Sequence, residues 1–156
     1  MGKYRIRLGT EEDIMDIVKL RRLMFEDMGV TSVDDLGMAD EACHAYLEQK
    51  IPLGEFISWV VEGEEKEIVG TAGLVVDQHP PGPNNLTGQI AYVMNLVITE
   101  NHRRRGLARQ LMSIVEEYAQ TNGINVVSLH ASEKGRPLYE KMGYVSSNEM
   151  KKKLIP

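Results

Sequence analysis

Apolar positions alternate in some stretches of this chain and recur at helical spacing in others, and each switch marks an element boundary. Tyr4 to Leu8 alternates as a short strand. Thr10 then offers a capping hydroxyl, and Glu11, Glu12 and Asp13 put acids into a first helical turn. Ile14, Ile17, Val18, Leu20, Arg21 and Met24–Phe25 give helical periodicity to Met28, where Gly29 stops it. Val30 to Met38 reads as a loop holding Asp34, Asp35 and Gly37, and Ala39 to Gln49 as a second helix ended by Pro52 and Gly54. Phe56 to Glu62 and Glu67 to Val76 read as hairpin strands joined by the polar turn Gly63 to Lys66. Clustered Pro and Gly make Gln78 to Asn85 a loop. Gln89 to Ile98 is a long central strand. Leu107, Leu111, Ile114, Val115 and Tyr118 stripe the helix after it, which Asn122-Gly123 ends. Val126 to His130 is a buried strand and Arg136 to Met142 a helix. Tyr144 to Ile155 is expected to be a terminal hairpin or strand, with a polar break from Ser146 to Glu149. No repeat or linker interrupts this order, so 1–156 is expected to form one α+β domain.

The junction between the central strand and its helix carries the chemistry. An apolar strand runs into the basic loop Arg103-Arg104-Arg105, which opens through Gly106 into Leu107, Ala108 and Arg109. N–H groups at a helix start lack internal partners and sit at the positive end of the helix dipole, so they bind phosphate. The arginines add formal charge, and glycine lets a ligand approach the backbone. A Walker loop would need Gly-x-x-x-x-Gly-Lys-Ser/Thr and a dinucleotide fingerprint three spaced glycines; neither is present.

The spacing Arg103-x-x-Gly106-x-Ala108 resembles the Arg/Gln-x-x-Gly-x-Gly/Ala signature of the GNAT acetyltransferases, which cradles the pyrophosphate of coenzyme A. A second segment, Leu138-Tyr-Glu-Lys-Met-Gly-Tyr144 after the strand from Val126, is similar to the family's closing strand–helix unit, in matching order and separation. The resemblance implies the GNAT fold: a central mixed, mostly antiparallel sheet, flanked by helices, whose two central strands splay to admit acetyl-coenzyme A as cosubstrate. Leu96, Val97 and Ile98 take the positions whose backbone meets the pantetheine arm; Arg103 to Arg109, Ser132, Gly135 and Tyr139 take other cofactor-side positions. Ser132 replaces the family's frequent Asn, and Gly135 and Arg136 depart from its Ala-rich pattern. Gly135 is read as room for the cofactor.

By the same resemblance Tyr139 is the general acid that protonates the leaving thiolate, its phenol having an unperturbed pKa of about 10. A base is harder to place. Strict alternation would set Ile90, Tyr92, Met94 and Leu96 on one face, yet neither Tyr92 nor Met94 is the Glu or His that some relatives use there. His130, with an ordinary pKa of about 6.5, is the candidate, and a water chain is the alternative. His79 and His102 are expected to be solvated.

Composition narrows the partners. Hydrophobic content of 42% with 26% charged residues is that of a globular chain, and no apolar run reaches the roughly 20 residues that span a bilayer. The start of the chain lacks a secretory apolar stretch, and the single cysteine, Cys43, excludes a disulfide framework and a multi-cysteine zinc site. A reducing cytoplasm, no membrane partner and no metal follow as expectations. A net charge of −5 argues against a nucleic-acid partner. The acceptor is expected to be a small cationic amine or the exposed amino group of a peptide, drawn in by Glu26, Asp27, Asp34, Asp35, Asp40 and Glu41. A homodimer stays open. So does a non-catalytic module that binds acetyl-coenzyme A without transferring its acetyl group.

Overall fold

A computed structural model describes residues 3–155. Five strands, β1 (Arg5–Leu8), β2 (Ile57–Glu62), β3 (Ile68–Gln78), β4 (Gln89–Ile98) and β5 (Val126–Leu129), form one sheet in chain order. The first three pairings are antiparallel, and β4 with β5 is parallel. That connection is a crossover: a strand, the helix α3 (Leu107–Thr121), then the neighbouring parallel strand. Helices α1 (Ile14–Asp27) and α2 (Val33–Lys50) precede the hairpin, and α4 (Arg136–Lys141) follows β5.

Each face of the sheet has its own core. On one face Leu107, Leu111, Met112, Val115 and Ala119 of α3 pack against Trp59, Val61, Leu74, Ala91 and Val93. On the other, Ile14 and Ile17 of α1 and Leu47 of α2 pack against Phe56 and Val60. Burying each large aliphatic side chain contributes about 1.5–3 kcal/mol, so the α3 stripe holds that helix firmly on the sheet. The entry to α1 is fixed by charge. Thr10 and Asp13 form a capping box, and Arg7 on β1 donates to both carboxylate oxygens of buried Asp13, at 2.8 and 2.9 Å.

Three expectations need correction. The segment from Val33 is helix, where a loop to Met38 was expected: Ser32 Oγ accepts from Asp35 N at 3.2 Å and caps α2, with Asp34 and Asp35 as first-turn acids. Only Leu36 and Leu47 of α2 are buried, so the apolar period that marks a helix is nearly missing there. Tyr144 to Ile155 forms no strand or hairpin. Val145, Met150, Leu154 and Ile155 are exposed, and the segment lies beside β5 without a ladder. Finally, β4 does not alternate to its end. Gly73 pairs with Met94 and Thr71 with Val97, so Asn95 and Leu96 together stand opposite Ala72. This β-bulge turns Leu96 onto the α3 face with Ile98, whereas Met94 packs on the α1 face.

Candidate active site

The parallel ladder ends where Val93 meets Leu129, but β4 continues to Ile98. Beyond that point β5 has ended, and the β5 side of Met94 to Ile98 has no strand partner among the described residues. Buried backbone groups need partners, so such an opening suits an amide-bearing ligand. The bulge lies inside it. Asn95, 4% exposed, takes a left-handed backbone with φ 60°.

Past Ile98 a short 3₁₀ turn, Glu100–His102, leads into the basic loop. Arg104 and Gly106 both have positive φ, 63° and 77°. Gln110 N donates to Gly106 O at 3.1 Å, the first bond of α3. The N–H groups of Arg104 to Arg109 find no backbone acceptor among the described residues. No atom lies within 4 Å of where a Cβ on Gly106 would stand. The cradle is therefore open and its donors are unspent, which fits a pyrophosphate. Leu107 is the exception in one respect: its side chain is 3% exposed in the core, so only its N–H faces outward. Arg104, Arg105 and Arg109 are exposed. Arg103 is already engaged. Its Nε donates to Ile98 O at 2.7 Å and its Nη2 to Asp27 Oδ2 at 2.8 Å, tying the strand end to α1.

The other sequence-derived residues gather around β5 and α4. A cavity of about 780 Å³, lined in part by Tyr92, Ser128, His130 and Tyr139, opens between β5, α4 and the C-terminal segment. His130 is exposed at its strand end. Tyr139 is 9% exposed, packs edge-on to Tyr144 at 5.9 Å, and has its phenol pushed above the ordinary 10.0 by burial. Tyr144 in turn donates to Glu116 Oε2 at 2.7 Å, and burial followed by that carboxylate raises its phenol as well.

Ser132 and Gly135 serve α4 itself. Ser132 Oγ accepts from Gly135 N at 3.1 Å. A Cβ on Gly135 would stand 3.0 Å from the Tyr139 ring and 3.2 Å from Ser132 Oγ, so the glycine gives the tyrosine room to pack. His102 also departs from expectation. Its Nδ1 is 2.8 Å from the Tyr4 hydroxyl, and the rings meet edge-on at 5.6 Å.

Two contacts have no local signal in the sequence: Arg21 of α1 donates to Asn95 Oδ1, and Asp27 holds Arg103. Only the asparagine within the apolar run Tyr92-Val-Met-Asn-Leu-Val-Ile98 could have drawn notice, since Asn is depleted in strands. Half of the acidic cluster is paired. Arg22 pairs with Glu26 at 3.5 Å and with Asp40 at 2.7 Å, and Asp27 is taken by Arg103.

Known proteins share this fold. A GCN5-related N-acetyltransferase from Ralstonia eutropha JMP134 superposes with a TM-score of 0.90 at 30% identity, over 97% of this chain and 98% of that one. A predicted acetyltransferase from Clostridium acetobutylicum, solved with acetyl-CoA, superposes with a TM-score of 0.87 at 26% identity, covering 96% and 94%. The uncharacterized protein YyaT of Bacillus subtilis (strain 168) is 26% identical over 152 residues, 96% of this chain and 88% of its own length. The profile of the Acetyltransferase (GNAT) family matches residues 19–144, a span running from α1 through the splayed strand and the cradle to Tyr144. With fold, splay, cradle and profile in agreement, the chain belongs to the GNAT family of acetyltransferases.

Proposed function

We propose that this protein is an N-acetyltransferase that moves the acetyl group of acetyl-coenzyme A directly onto a primary amine, with the whole chain acting as one domain. The observation that carries the reading is the opening of β4 past its ladder with β5, continuous with the unspent N–H groups at Gly106. Leu96, Val97 and Ile98 would meet the pantetheine arm, and Arg104 to Arg109 the pyrophosphate, with Arg103 holding the loop in shape.

In the transfer, a neutral amine nitrogen attacks the thioester carbonyl carbon. The C–N bond forms, the C–S bond breaks, and sulfur leaves as a thiolate. Tyr139 gives that thiolate its phenolic proton and regains one from solvent. Its raised pKa keeps the phenol protonated at neutral pH, which an acid requires. The attacking nitrogen loses its extra proton to His130 or through water; Tyr92 lines the same cavity and would help orient the acceptor. Cys43 is half-buried on α2 with its thiol pushed up by burial, which disfavours a thiolate nucleophile and supports direct transfer.

The acceptor in this reading is a small cationic amine. Asp34, Asp35 and Glu41 on α2 have no ion-pair partner among the described residues. They would attract a protonated amine. Thiol release from acetyl-coenzyme A over a panel of amines tests both parts. No release with any amine would leave a cofactor-binding module without transferase activity. Asp34 and Asp35 changed together to Asn should raise the KM of a cationic acceptor several-fold, and an unchanged KM sinks the electrostatic part.

A further inference from the structure

Helix α1 grips β4 on both sides of the segment Leu96–Ile98. On one side Arg21 donates to Asn95 Oδ1; on the other Asp27 holds Arg103, whose Nε in turn binds Ile98 O. The two contacts differ in depth. Asp27 and Arg103 are 42% and 38% exposed, whereas Asn95 is 4% exposed. Asn95 is also the only residue of β4 with positive φ. A left-handed backbone is tolerated by Asn better than by most residues but still favours glycine, so something must hold it within an otherwise regular strand. Arg21 is placed to do so. Its guanidinium lies 4.9 Å from the centroid of the Phe25 ring, which orients it, and among the described residues no carboxylate lies within ion-pair distance of it. Without Arg21 the buried Oδ1 would lose its donor, and the strand would gain by returning to regular alternation. That return would swing Leu96 off the α3 face, where it now packs.

We propose that Arg21 is a positioning residue: through the Asn95 side chain it keeps β4 bulged, and so keeps Leu96–Ile98 open to the pantetheine arm of acetyl-coenzyme A. This rests on acetyl-coenzyme A being the cosubstrate. Arg21 touches no reacting atom in this account; it acts through Asn95 alone.

A double-mutant cycle tests it, because glycine adopts φ 60° without a clamp. Calorimetry would measure acetyl-coenzyme A and 3′-phosphoadenosine diphosphate, which keeps the pyrophosphate but lacks the pantetheine arm. Arg21→Ala should weaken acetyl-coenzyme A about tenfold, the scale of a buried acceptor losing its donor, and leave the fragment unchanged. Asn95→Gly should bind both as the native chain does, and adding Arg21→Ala to it should change nothing further. In the ligand-free protein, Arg21→Ala should also move the backbone ¹³C shifts of Asn95 away from left-handed values. If the loss persists in the Asn95→Gly background, Arg21 contacts the ligand directly and the proposal fails. Equal loss for both ligands, or no loss, overturns it too. Should Arg21→Ala alone not fold, the Gly background decides: binding equal to Asn95→Gly supports the clamp, and weaker binding refutes it. A native protein that binds neither ligand would instead count against the cosubstrate, since the ¹³C readout needs no ligand.

Discussion

Gly106 and Tyr139 each face two demands that single substitutions can separate. Gly106 combines a left-handed backbone with open space above it. Gly106→Asn tolerates the backbone and fills the space; Gly106→Val fails both. We expect the Asn variant to melt near the native temperature yet bind coenzyme A weakly, and the Val variant to lose about 1–2 kcal/mol of stability as well. Calorimetry beside thermal melts checks this, and native-like binding by the Asn variant would remove the cradle from Gly106. Tyr139→Phe keeps the ring against Tyr144 and removes only the hydroxyl. It should lower kcat by about a hundredfold while leaving coenzyme A affinity within about twofold. Because burial raises the phenol above 10.0, the alkaline limb of native kcat should lie beyond that pH and vanish in the Phe variant. Equal turnover would refute the acid role.

Among the elements, α1 does more than cover the sheet. Its buried face, Ile14, Ile17 and Leu20, supplies packing, while Arg21 and Asp27 reach β4 and the cradle loop. Asp27→Ala therefore separates stability from function. The pair is solvent-exposed, so the melt should shift by less than about 1 kcal/mol. The KM for acetyl-coenzyme A should nonetheless rise several-fold, since Arg103 would no longer be pinned between α1 and Ile98. A KM unchanged by Asp27→Ala would reduce that ion pair to surface decoration. The short α4 is organised by contrast from within: Ser132 Oγ accepts from Gly135 N in the turn that leads into it, and the space beside Gly135 is taken by the Tyr139 ring.

For the molecule as a whole, the acid limit of stability should be set near Asp13. Hydrogen bonds from Arg7 hold its carboxyl below the ordinary 3.8, and the Thr10 backbone adds to that. A depressed carboxyl stabilises the fold above 3.8, and that contribution is lost as pH falls through the lowered value. Asp13→Asn should cost about 3 kcal/mol at pH 7, in the range for breaking a buried pair, and the difference from native should shrink in acid. Denaturant melts across pH measure it; a gap that stays constant down to full protonation would exclude this pair as the source. At the alkaline end, Tyr139 and Tyr144 run the other way. Their raised phenols favour the fold below 10.0, and that stability declines as pH rises through the raised values.

Local chemistry sufficed for much of this protein. Strand β4, the striped helix α3, and the glycine between them are legible because periodicity, basic charge and a left-handed turn are properties of neighbouring residues. The motifs Arg103-x-x-Gly106-x-Ala108 and Leu138 to Tyr144 resemble those of the GNAT family, and that resemblance pointed to its fold. The start of helix α2 is not legible because the helix buries little, so its sequence carries almost no period. The C-terminal segment forms no strand because alternation permits a strand but cannot supply its partner. Tertiary structure decided the rest: that Arg103 serves α1 before any phosphate, that Gly135 makes room for Tyr139, and that Arg21 reaches Asn95 across 74 positions of sequence. Such contacts depend on where two elements come to rest on the sheet, and nothing in either element alone encodes the distance between them.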